Sequence, residues 1–85
     1  MYKLENWSHS KYNRVWRIRG EVFKHPVYAD GSSVWISCPV DFDEQNMVVQ
    51  TISGSLYKLG QCAGDLNKEI VLIREDVACG QYKRE

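Results

Sequence analysis

Between Arg14 and Gly60, short runs of alternating apolar residues are broken at regular intervals by turn formers: His25-Pro26, Ala29-Asp30-Gly31-Ser32, Asp41-Phe42-Asp43-Glu44-Gln45-Asn46 and Ser53-Gly54. A period of two places one set of side chains in a core and the other in water, so this rhythm predicts a small antiparallel β-meander. The run Val15–Phe23 is its clearest strand. Trp16, Ile18, Gly20 and Val22 fall on one face, and Arg17, Arg19 and Glu21 on the other. Gly20 inside the strand marks a bulge or a sharp bend.

Further strands are expected over Val34–Val40, Met47–Ile52 and Ser55–Leu59. Val34, Ile36, Cys38 and Val40 share one face of the first, and Trp35 lies on the other. Pro39 lacks a ladder donor, which suits an edge or a strand terminus. Ser53-Gly54 reads as a two-residue hairpin turn. Residues 1–13 read as an extended lead-in with Trp7 tucked against the core. After Gly60 two readings stand. Asp65 caps a helix carrying Leu66, Ile70, Ile73 and Val77, stopped by Gly80, or Glu69–Arg74 adds a strand. The tail Gln81–Glu85 is expected to fray. The fold expectation is one mainly β domain over residues 1–85. It is a bent antiparallel sheet of four or five strands, or an SH3-like barrel, with a C-terminal helix or extra strand.

The chain has 85 residues, enough to bury roughly 60–65 % of the surface it exposes when unfolded. Its three Trp and five Tyr give such a sheet a workable core. The formal charge is zero, with 11 basic and 11 acidic side chains, which leaves little long-range attraction for polyanions. The distribution is uneven. Residues 1–24 hold Lys3, Lys11, Arg14, Arg17, Arg19 and Lys24 against Glu5 and Glu21. The three Cys (Cys38, Cys62, Cys79) form no C-x-x-C pair, so reduced thiols in a bacterial cytoplasmic protein are expected. The opening Met-Tyr-Lys-Leu-Glu has no apolar signal-peptide region, and no run has the length of a membrane span.

Chemistry-bearing residues are few. Cys38 and His25 would make a nucleophile only if hydrogen-bonded, and Cys38 alternates with apolar residues as a core thiol does. His9, His25 and the cysteines match no metal-ligand spacing, so no metal or cofactor is expected. Asp41, Asp43 and Glu44 lack calcium-loop spacing and read as a solvated hairpin loop. The strongest signal is the basic strip. Arg17, Arg19 and Trp35 are the expected contacts of a non-enzymatic interaction module with a protein partner, including a second copy in a homodimer. Arg14, Arg17, Arg19 and Lys24, with Lys11 and Tyr12 nearby, would instead serve a nucleic-acid strand. A third reading is a small-ligand binder or enzyme assembled at an oligomer interface.

The pattern Leu4-x-Asn6-Trp7-Ser8, Gly20-Glu21-Val22-x-x-His25-Pro26-x-x-x-Asp30-Gly31 and Thr51-x-Ser53-Gly54-Ser55-x-Tyr57-x-Leu59-Gly60 resembles that of small uncharacterised proteins of bacteria, phages and integron-type mobile gene cassettes. The likeness covers about residues 4–60. It implies a small β fold and a mobile-element setting, with no catalytic residues. Val27-Tyr28 and Ile52 stand where a more basic pattern would be expected.

Overall fold

The computed structural model describes the backbone of residues 1–83 and the side chains of residues 1–11 and 13–79. Strands β1 (Tyr2–Tyr12), β2 (Val15–Phe23), β3 (Ser32–Trp35), β4 (Pro39–Asp43), β5 (Val48–Thr51) and β6 (Leu56–Leu59) precede one helix, α1 (Leu66–Lys83). They form one six-stranded sheet in the order β3-β2-β1-β6-β5-β4. Two antiparallel meanders, β1-β2-β3 and β4-β5-β6, are joined by a parallel pairing of β1 with β6. The mainly β class stands, but the sheet is mixed and has six strands rather than four or five. The supposed lead-in is its longest strand, 11 residues.

The expected strand Val34–Val40 is two strands. The chain leaves edge strand β3 at Trp35 and enters the opposite edge strand β4 at Pro39. That link spans at most about 14 Å, so the sheet must curl until its edges approach. Ile36 N donates to Ile18 O at 3.0 Å, and Ile52 N donates to Cys38 O at 2.9 Å, so the link is tied to β2 and to β5. Among the described residues β3 and β4 do not pair, so the sheet is not closed into a barrel. Pro39 is both the first residue of its strand and on an edge, where its missing N–H costs least.

The β1–β2 hairpin turns through Asn13 (φ 48) and Arg14 (φ 67), the two left-handed residues of a type I′ turn. Further back, the β1–β2 register slips between Glu5 and Ser8, and Asn6 has φ 49. This bulge breaks the alternation, so Leu4, Trp7 and His9 all point inward. Trp7 is fully buried, and its Nε1 donates to Gly60 O at 3.0 Å. Gly20 lies beneath the bulge. A Cβ there would sit 2.8 Å from Leu4 Cγ and 2.9 Å from Glu5 O. Gly31 (φ 88) and Gly54 (φ 91) supply the expected turns, although the β5–β6 loop, residues 52–55, exceeds the expected two residues.

Leu4, Trp7, Ile18, Val22, Ile36, Val49, Tyr57, Leu59 and Ile73 form the core. Trp16 does not join it: expected inside, it is 58 % exposed at the open end of β2. Residues 61–85 resolve as the helix rather than the strand. Asp65 Oδ1 accepts from Asn67 N at 3.1 Å, satisfying a first-turn donor. The helix packs chiefly on β4 and more narrowly on β1. Ile73 is buried and Val77 packs on the core, while Leu66 stays exposed. Gly80 does not stop the helix, which continues to Lys83 because a glycine can be carried within a helix at modest cost. Of the tail expected to fray, Gln81–Lys83 is helical and Arg84-Glu85 lies outside the described residues.

Candidate functional site

On the outer face of β2, Arg17 and Arg19 stand two positions apart, away from buried Ile18 and Gly20. Arg19 is paired in register with Trp35 of β3, and its guanidinium carbon lies 6.0 Å from the Trp35 ring centroid. The structure therefore sets Arg19 against Trp35, with Arg17 two positions along the same face; Arg19 is exposed, and Arg17 and Trp35 are half-buried. Opposite them on β1 stand Ser10 and Ser8, not acids. Among the described residues neither arginine makes an ion pair. Arg14 and Lys24 lie at the two ends of β2, roughly 30 Å apart along an extended chain, so the wider strip is a line rather than a cluster.

Beside this face is a cleft of about 380 Å³ where the curled sheet stays open. One wall is the start of β2, with Val15, Trp16, Arg17 and Ile18. The other is the link Ile36–Pro39 with Asp76 and Cys79 of α1. Val15 is 57 % exposed beside Trp16, and Lys11 Nζ lies 6.0 Å from the Trp16 ring centroid. Trp16 and Arg17 thus both line the cleft, and among the described residues Arg17 makes no ion pair.

Behind the cleft lies an unpredicted polar cluster. His9 of β1 has a side chain 2 % exposed between two carboxylates of α1. Its Nδ1 lies 2.6 Å from Glu69 Oε1 and its Nε2 2.6 Å from Asp76 Oδ2. His9 N also donates to Glu69 Oε1 at 2.8 Å. Ionised carboxylates only accept, so both ring nitrogens donate and the ring carries a charge. Burial works against that charge most strongly. The hydrogen bonds and charges of Asp76 and Glu69 together outweigh it, and the His9 pKa is raised above the ordinary histidine value. With both nitrogens engaged and buried, the cluster acts as a clamp between β1 and α1.

The other residue groups read from the sequence are used structurally. His25 stacks between Tyr2 (4.3 Å) and Tyr28 (4.8 Å), and its Nδ1 accepts from Val27 N. Cys38 is half-buried in the cleft, its thiol near Pro39 O and Asp76 O, so it is not a fully buried core thiol and is not joined to His25. Asp43 accepts from Asn46, which lowers its pKa, and Glu44 pairs with Arg74 of the helix. Among the described residues no group of three or more His, Cys, Asp or Glu is placed to hold a metal. No described helix is long and apolar enough to cross a membrane. The Tyr12 side chain, suggested as a stacking partner, lies outside the described residues.

The fold and this surface together define a small mainly β domain: a curled, open six-stranded sheet with one capping helix and a cleft at its seam. In comparisons with protein-family models, with curated proteins and with solved structures, no match to the chain was found.

Proposed function

We propose that this domain is a non-enzymatic binding module for a protein partner, acting through Trp16, Arg17, Arg19 and Trp35. The observation that carries the reading is Trp16, 58 % exposed on the lip of the cleft beside Arg17. A partner segment with an apolar anchor for the cleft and acidic groups for Arg17 and Arg19 fits this surface. Desolvating an exposed Trp and pairing the Arg17 and Arg19 guanidinium groups with acids both favour association. A second copy of the chain is one such partner. The resemblance of its turn pattern to small cassette proteins is the ground for proposing an accessory role in the bacterial cytoplasm.

The test is selection from a random peptide library with the wild-type domain as bait, followed by Trp16→Ala and Arg17→Ala baits. Enriched acidic-aromatic or acidic-aliphatic peptides that both variants fail to hold support the reading. Peptides held equally by the variants would refute it.

One observation favours a second reading. Lys11 on Trp16 and Arg19 on Trp35 each put a cation against an indole, the pairing used to stack single-stranded nucleic acid. Random-sequence DNA and RNA should then bind at low salt, with affinity falling steeply as salt rises and lost in Arg17→Ala and Arg19→Ala. No binding at low salt would remove this reading.

A further inference from the structure

Cys38 and Cys79 line the same wall of the cleft, facing the start of β2, one on the β3–β4 link and one on α1. Cys38 Sγ lies 3.9 Å from the main-chain oxygen of Asp76. Cys79 follows Asp76 by three positions in the helix. In a helix, a γ atom can reach the carbonyl three or four residues back, as Thr Oγ1 does. Cys38 Sγ therefore lies against the helical turn that carries Cys79.

We infer that Cys38 and Cys79 form a reversible disulfide that staples the helix to the β3–β4 link along one wall of the cleft, with a low-molecular-weight disulfide as oxidant. This is independent of the binding reading above. Cys79 is exposed and meets the oxidant first. Its thiolate attacks one sulfur of the small disulfide, breaking that S–S bond and releasing one thiol. Cys38 then gives up its proton and attacks the Cys79 sulfur of the mixed disulfide, releasing the second thiol. Two protein thiols are oxidised, one small disulfide is reduced to two thiols, and no other reactant is needed. Cys62 does not compete. It is half-buried against Trp7, away from the cleft, and burial pushes its pKa up, keeping it a thiol.

The experiment is incubation of the full chain with excess oxidised glutathione, blocking of remaining thiols, and intact and peptide mass analysis. The expected product is about 2 Da lighter than the reduced chain before blocking, with one linked peptide pair containing Cys38 and Cys79. Cys62→Ser should give the same product. Cys38→Ser should stop with one glutathione on Cys79, and Cys79→Ser should form no internal disulfide. Cys79 is exposed, so its replacement leaves folding intact. A wild-type chain that stops at the glutathione adduct, stays fully reduced, or links Cys62 would overturn the inference.

Discussion

Replacing His9 with alanine should remove about 3–5 kcal/mol of folding stability. The ring is 2 % exposed and each nitrogen has a carboxylate at 2.6 Å. Its removal leaves Glu69 and Asp76 facing an empty space, and uncompensated charge at a buried site costs about that amount. A domain this size has roughly 5–15 kcal/mol in all, so the loss would be a large share. The pH dependence follows from the raised His9 pKa. A group whose folded pKa lies above its unfolded value stabilises fully below the unfolded value, near 6.5 for His, and the contribution fades as pH rises through the folded value. Stability should therefore fall between about pH 6.5 and the raised folded pKa, by at most about 1.4 kcal/mol per pH unit. Asp76→Asn should shift that decline to lower pH, because one of the two carboxylates that raise the pKa has lost its charge. The assay is urea denaturation at several pH values, followed through Trp7, which is buried near the clamp. A loss under about 1 kcal/mol in His9→Ala, or a wild-type stability flat across that range, would refute the reasoning.

Two further substitutions test the fold that holds the site. Gly20→Ala should cost about 1–3 kcal/mol, because the new methyl would press on Leu4 and on the Glu5 carbonyl, which is main chain and cannot rotate away; an unchanged urea midpoint would contradict the close approach. Asp65→Ala should cost about 0.5–2 kcal/mol and reduce helical circular dichroism, since its carboxylate holds first-turn donors; full retention of both signals would contradict the cap.

The local rules were legible where one strand could be read alone. Ile18, Gly20 and Val22 face inward, Arg17 and Arg19 outward, and Asp65 caps the helix. What escaped depended on partners distant in sequence. The spacing of Leu4, Trp7 and His9 breaks the period of two, and only the bulge at Asn6 explains it. His9 reads as an ordinary polar residue until Glu69 and Asp76, seven positions apart on α1, are packed over it. Trp16 keeps the parity of the core yet stays exposed, because it lies at the strand end where the sheet is open. The break at Ile36–Cys38 left one trace in the sequence, Pro39 as an edge or terminus residue. Alternation continues through it, while the main chain crosses from one sheet edge to the other.

The most direct test of the binding surface is amide chemical-shift mapping by NMR, with the tightest peptide from the library titrated into the labelled domain. Perturbations are expected at residues 13–19 and 34–39, along the outer face of β2 and the cleft. Other exposed apolar residues, Val27 and Tyr28 in one loop and Ile52 and Leu56 in the β5–β6 hairpin, offer alternative sites. Perturbations centred there, with Trp16 and Arg17 unmoved, would contradict that expectation.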